Sequence, residues 1–226
     1  MAEMIVSLGE SAYLRLRNDI MTGKLLPGTI VSERELAGRY DMSKTPVREA
    51  IGQVCREGLV RRMPGRGYQI SPITIKEIVD LFEMRMIVEM ACVERVVGAP
   101  GSVRFLDLLK EKAKIRYALA DENSHVEFLM ANREFHITFA EATGNDRLVQ
   151  ILGGLFTEME RLFHLGLVLR DSSEEMATEH QCLVAACENG DVHEAREVAG
   201  QQIISSKERI LEAIMGGGLV SVQASV

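Results

Sequence analysis

The sequence of 226 residues has no run of 18 or more apolar residues, so no segment of it is expected to span a membrane. Its opening stretch, MAEMIVSLGES, lacks the charged, apolar and small-residue blocks of a secretion signal, and a cytoplasmic protein is expected. The four cysteines, Cys55, Cys92, Cys182 and Cys187, form no Cys-x-x-Cys pair and read as reduced, small apolar side chains. Motifs that carry chemistry are missing: there is no Walker loop, no Gly-x-Ser-x-Gly elbow and no His-Glu-x-x-His. A di-iron bundle needs paired Glu-x-x-His motifs, and only Glu122 to His125 has that spacing.

Apolar residues make up 46% of the chain, enough to bury a core in one large domain or two small ones. The net charge of −7 argues against indiscriminate nucleic-acid binding, but the charge is unevenly placed. Residues 1–74 carry 11 Lys/Arg and 8 Asp/Glu, whereas residues 75–226 carry 15 and 25. The change falls at GRGYQISPITIKEI. We therefore expect one domain over 1–73, a second over 74–215, and a flexible tail over 216–226, where GGGLVSVQASV has no helical period.

The basic part reads as helix, helix, turn, helix, hairpin. Apolar residues at helical spacing over 10–22 stop at Gly23, and GKLLPGTIV turns into a short β segment. Ser32 caps ERELAGRY, a third helix runs over about 45–56, and two β-prone runs flank a Pro-Gly-Arg-Gly turn. This is the order of a winged helix-turn-helix. Beyond residue 74 the pattern is only helical, with helices expected near 74–98, 102–120, 124–142, 146–169, 173–188 and 191–215. Their short connections predict a bundle of antiparallel neighbours. The fold class is mainly α.

The third helix opens with SKTPVREA. With Ser43 as N-cap, Pro46 sits in the first turn, where its missing N–H costs little. Ser43, Lys44, Thr45 and Arg48 then crowd donors onto a helix start whose own N–H groups are unpaired, which makes an anion site. Ala50, Ile51 and Val54 supply its packing face. Arg34 precedes this helix, and Arg66 stands between glycines at the hairpin tip, where a backbone can approach a phosphate closely. Any one of these could be a solvated surface charge; together they favour binding of double-stranded DNA.

Residues 10–71 resemble the DNA-binding domain of the GntR family of bacterial transcription regulators. GKLLPG, SERELA, SKTPVREAI and EGLV followed by GRG match in order and spacing. The resemblance implies Arg34, Ser43, Lys44, Thr45 and Arg48 at DNA, with Arg66 and Gly67 at the wing. Lys44 stands where many relatives have Arg; phosphate contact survives that change better than bidentate guanine reading.

In the acidic part, the 74–98 helix has an apolar stripe through Ile78, Leu81, Phe82, Cys92 and Val96, with Arg85 and Glu89 in its middle. A charge there is expensive unless paired or liganded. An internal Arg85–Glu89 pair and an arginine held inward for an anionic effector are equally good readings. Met84, Ile87, Met90 and Ala91 make the opposite side apolar too, as at a subunit interface. Asn132 and His136 share a stripe with Phe128, Leu129 and Phe139; His180 lies among Met176, Leu183, Val184 and Cys187; Gln202 lies among Ala195, Val198 and Ala199. One such residue is an ordinary hydrogen-bonded core group, but several in one bundle suggest a polar pocket. His125, His164 and His193 have no comparable company, and Glu160 with His164 reads as an exposed charge and an amphipathic residue on one helix.

Residues 74–214 resemble the FadR-like (FCD) branch of the same family, most sharply at Met84, Arg85, Val88 and Glu89, at 132–136, and at Glu179 and His180. The resemblance implies a dimerising domain that binds a small effector, usually a carboxylate. In many such relatives a divalent metal is held by an acidic or amide residue and three histidines. The matching positions are Asn132, His136, His180 and Gln202. Amide oxygens are poor zinc or nickel ligands beside imidazole, so His136 and His180, with Asn132, are left as a reduced metal set. The expectation is a homodimeric repressor of a palindromic operator, responsive to an organic acid at Arg85, Asn132, His136, His180 and Gln202. A metal-dependent hydrolase fused to a DNA-binding module, using His136 and His180, is the alternative.

Overall fold

A computed structural model describes residues 7–97, 102–114 and 122–217 and divides them into two compact units, up to Thr74 and from Ile75 to Gly217. The described residues contain nine helices and one small sheet, a mainly α protein.

The first unit is a winged helix-turn-helix. Ser7 caps α1 (Leu8–Met21) by accepting the Glu10 N–H, and Ser32 and Glu35 form a reciprocal capping box at the start of α2 (Glu33–Tyr40). Asp41 ends α2 in a left-handed conformation (φ 53°), a position Asp tolerates better than most residues, and the chain turns into α3 (Lys44–Arg56). The strands β1 (Ile30–Val31), β2 (Val60–Met63) and β3 (Gly67–Ile70) pair antiparallel in the order β1-β3-β2. Ala12, Leu16 and Ile20 of α1 meet Val47, Ala50, Ile51 and Val54 of α3 in one core, closed by Val60 and Ile70 of the hairpin. Burying one face of α3 leaves its start and opposite face to solvent.

The second unit is the helical bundle: α4 (Ile75–Val96), α5 (Ser102–Lys112), α6 (Glu122–Ala142), α7 (Asp146–Leu169), α8 (Ser173–Asn189) and α9 (Val192–Gly216). Asn145 and Asp191 cap α7 and α9 through their side chains, and Gly190 (φ 71°) ends α8. α4 packs against α6, α7 and α9. The helix expected over 102–120 is shorter than its sequence pattern suggests. After Lys112, with cationic Lys110 and Lys112 suited to a helix C-terminus, the chain makes a tighter turn in which the Lys114 N–H donates to the Glu111 carbonyl; residues 115–120 lie outside the described residues. Of the expected flexible tail, residues 218–226 also lie outside them. No helix among the described residues is long and apolar enough to cross a membrane.

Candidate functional sites

The start of α3 lacks the side-chain cap found on α1, α2, α7 and α9, as does the buried start of α8 at Ser172. Ser43 occupies the N-cap position with extended backbone (φ −70°, ψ 164°), yet its hydroxyl makes no cap hydrogen bond. Three residues on, Pro46 is buried and has no N–H to offer. The Lys44 and Thr45 N–H groups thus begin a helix without a side-chain cap, flanked by the exposed side chains of Ser43, Lys44, Thr45 and Arg48. Arg34 is exposed at the start of α2.

Arg48 is not a loose charge. Its Nε and Nη2 donate to the two carboxylate oxygens of Glu33 at 3.0 and 2.8 Å, and the Tyr68 hydroxyl donates to the same carboxylate at 3.2 Å. Hydrogen bonding from Arg48 holds the Glu33 carboxyl below the usual carboxylate range. One carboxylate therefore ties α2, α3 and β3 together and fixes the direction of the guanidinium. Sequence reasoning named Arg48 but neither Glu33 nor Tyr68, which lie 15 and 35 residues from their partners with no spacing signal to join them.

At the wing tip, the Arg66 N–H donates to the Met63 carbonyl at 2.9 Å, and the Arg66 side chain is exposed, as are Arg61 and Arg62 on β2. Gly67 has a function inside the fold. Its φ is 104°, and a Cβ there would stand 2.6 Å from the Val31 carbonyl oxygen, so the missing side chain lets β3 lie against β1.

In the bundle, Arg85, Asn132, His136, His180 and Gln202 are all buried, with relative exposures of 1, 4, 0, 3 and 5%. Arg85 Nε donates to Glu89 Oε1 at 2.6 Å, and Arg85 Nη2 lies 3.0 Å from His136 Nε2. His136 Nδ1 lies 2.8 Å from the other oxygen of Glu89. Arginine can only donate and an ionised carboxylate can only accept, so His136 carries its proton on Nδ1 and is neutral. Burial raises the Glu89 carboxyl, but Arg85 and His136 outweigh it and hold the group ionised, well below the usual carboxylate range. Burial lowers both His136 and His180 from the ordinary imidazole value. Phenylalanines complete the surroundings: the Arg85 guanidinium carbon lies 5.7, 5.1 and 5.7 Å from the ring centroids of Phe82, Phe156 and Phe163. Phe156 also stacks on His136, and Phe135 on His180 at 4.0 Å. This aromatic cage was not anticipated, because a helical wheel shows which way Phe156 and Phe163 point but not what they meet.

A divalent metal does not fit this arrangement. Both ring nitrogens of His136 are engaged, the Nε2 by a cation, and Asn132 and Gln202 present neutral amides. Among the described residues no group of three or more His, Cys, Asp or Glu side chains could hold one. The zinc or nickel reading of His136 and His180 is therefore not carried further. Among the described residues, all five side chains that the sequence pattern assigned to a polar pocket are closed off from solvent. A cavity of about 20 Å³, room for about one water, lies beside them, walled by Phe163, Arg170, Ser172, Ser206, Arg209 and Ile210. Phe163 faces this cavity and Arg85 alike, and Ser206 is one turn from Gln202.

Two expectations for the other histidines are corrected. His125 and His164 are both buried, at 2 and 4% exposure, and their rings meet edge to face across α6 and α7 at 6.1 Å. His164 is thus a core group, and Glu160 is half-buried rather than exposed. On its own helix each histidine had no comparable company; the packing of α6 on α7 pairs them.

A winged helix-turn-helix followed by an all-helical unit defines a DNA-binding transcription regulator, and similarity to known proteins gives the family. Residues 8–70 match the model of bacterial regulatory proteins of the gntR family, and residues 80–203, more than half of the chain, match the FCD domain. The chain belongs to the GntR family, in its FCD-domain branch. It is 27% identical over 211 residues to the HTH-type transcriptional repressor GlaR of Escherichia coli K12, covering 90% of this chain and 96% of that one. It is 30% identical over 168 residues to the gluconate operon transcriptional repressor of Bacillus subtilis 168, covering 73% and 67%. A solved GntR transcriptional regulator from Rhodococcus sp. RHA1 shares the fold, with TM-score 0.62 and 23% identity over 91% of this chain and 98% of that one.

Proposed function

We propose that this GntR-family regulator is a cytoplasmic homodimeric repressor that binds a palindromic operator and responds to a small organic acid. On this reading the start of α3 enters the major groove: the uncapped N–H groups with Ser43, Lys44 and Thr45 grip phosphate, Arg48 reads a base edge, and Arg34 and the Arg66–Gly67 wing tip hold flanking backbone. The observation that carries it is the exposed helix start, where Ser43 makes no cap hydrogen bond and Ser43, Lys44, Thr45 and Arg48 all face solvent; Ser172 at the start of α8 makes no cap hydrogen bond either but is buried. The apolar outer side of α4, with Met84 and Ile87 exposed, and Ile204 exposed on the adjoining α9 support association of two copies. In the bundle, Arg85 is the natural partner of an acid, with His136 against it and Asn132, His180 and Gln202 buried in the same unit. The hydrolase alternative finds no support: His136 is held between Arg85 and Glu89 and has no lone pair left to act as a general base. The test is Arg48→Ala in an operator gel shift. Operator binding should be lost while the protein remains a folded dimer; an undiminished shift refutes the role given to α3.

A further inference from the structure

Arg85, Glu89 and His136 close a ring of hydrogen bonds on one another, at 2.6, 2.8 and 3.0 Å. The carboxylate against Arg85 is therefore the protein's own. Glu89 sits one helical turn from Arg85 on α4, so their pair is local to one helix, while His136 brings in α6. Glu89 engages Arg85 through Nε alone, and a guanidinium offers five N–H donors, so both Nη groups retain hydrogens for a further acceptor. Two buried polar atoms of the bundle have no hydrogen-bond partner among the described residues: His180 Nε2, whose ring centroid is 5.4 Å from that of His136, and Gln202 Oε1 on α9, which packs against α4. Buried atoms of this kind are ordinarily satisfied. The Gln202 oxygen can only accept, so its complement is a hydroxyl or an N–H group.

We propose that Glu89 is a resident stand-in for the effector's carboxylate, and that the effector is a hydroxycarboxylic acid bound without a metal ion. The incoming carboxylate takes over Arg85, Glu89 falls back on its hydrogen bond from His136, and the acid's hydroxyl donates to the Gln202 oxygen or pairs with His180 Nε2. The guanidinium supplies the positive charge that a metal would supply elsewhere, from the position that blocks a metal from His136. This rests on the effector reading above and sharpens it. Because one carboxylate replaces another on the same cation, a bare carboxylate gains little, and selection falls to the hydroxyl. The charge of Glu89 also opposes the newcomer, so removing that charge raises affinity for any small acid.

Acetate and glycolate differ by a single hydroxyl and serve as probes, with binding to the full chain followed by thermal shift and calorimetry. Glu89→Gln should bind acetate at least roughly tenfold more tightly than wild type does, since a like charge next to the incoming anion is gone. Glycolate should outbind acetate in the wild type, and its effect should be the same in EDTA as with added zinc or nickel. Equal acetate affinity in the two proteins, or a glycolate response that EDTA abolishes, overturns the proposal. Should Glu89→Gln fail to fold, the ¹⁵N-labelled histidines of the wild type decide: metal-free glycolate must shift the His136 Nδ1–H signal, and an unmoved signal also overturns it. Operator release is read separately. Acid exchange at Arg85 with no effect on DNA binding would remove the effector-responsive repressor and leave the exchange standing.

Discussion

Replacing Arg85 with methionine tests whether the buried charges are held by one another. The substitution keeps an unbranched, polarisable chain among Phe82, Phe156 and Phe163 but removes the guanidinium. Glu89, at 3% exposure, then keeps only its hydrogen bond from His136. Stranding one partner of a buried ion pair costs about 3–5 kcal/mol, a large share of the about 5–15 kcal/mol that holds a domain folded. Adding Glu89→Leu to the same protein removes the stranded charge. It leaves the His136 Nδ1–H without its acceptor, at about 1–3 kcal/mol. The midpoints of these two ranges make the double variant more stable than Arg85→Met alone by about 2 kcal/mol, a second substitution that rescues the first. Urea unfolding of the full chain resolves this, with circular dichroism at 222 nm dominated by the bundle. Three of the four tyrosines lie in residues 1–74, so their fluorescence follows the other unit as an internal control. If Glu89→Leu destabilises Arg85→Met further, the ring does not hold the charges as described.

Gly67→Ala should destabilise the winged unit by about 1–3 kcal/mol, because the φ of 104° and the 2.6 Å approach to the Val31 carbonyl both exclude a Cβ; tyrosine fluorescence should show an earlier unfolding midpoint, and an unchanged one removes the structural role of this glycine. Acid should weaken the bundle before it weakens a typical carboxylate-held domain. His136 and His180 are both depressed by burial below the ordinary value of about 6.5 in the unfolded chain, so their contribution is complete above that pH and is lost as pH falls below it. Glu89 acts in the same sense further down the scale. Urea midpoints at pH 7 and pH 5 measure this, and a midpoint that holds or rises at pH 5 contradicts the neutral, buried state of the two imidazoles.

The winged unit was readable because its signals are local. A capping box needs only Ser32 and Glu35, a first-turn proline only Pro46, and a hairpin only the glycines at 65 and 67. Inward placement of Arg85, Asn132, His136, His180 and Gln202 was readable for the same reason, since each helix reports its own buried stripe. What joins two helices was not. His136 lies 47 residues from Glu89 and 51 from Arg85, so a wheel shows three polar residues facing a core but not that they satisfy one another. That is why an open polar pocket was the natural reading, when the structure has a closed ring caged by phenylalanines. Arg48 and Glu33 were opaque in the same way, as were His125 and His164, each unremarkable on its own helix.

Arg48 and Arg85 each rest against an internal carboxylate, and their burial makes the two pairs answer to different partners. The Arg48 side chain is 67% exposed, so its attraction to Glu33 is screened by water and salt and yields to any dense array of negative charge. An array of phosphates is such a partner, and its grip should fall steeply as salt rises. Arg85 has a side-chain exposure of 2%, where an unpaired charge is not tolerated and salt does not reach. Only a compact anion that can stand where Glu89 stands, and satisfy the polar atoms around it, can exchange there. On the proposed function, the same local motif, an arginine with a carboxylate beside it, would serve a polyanion at the surface and a small acid in the core. The difference in burial would then keep the two proposed ligands from competing for each other's arginine.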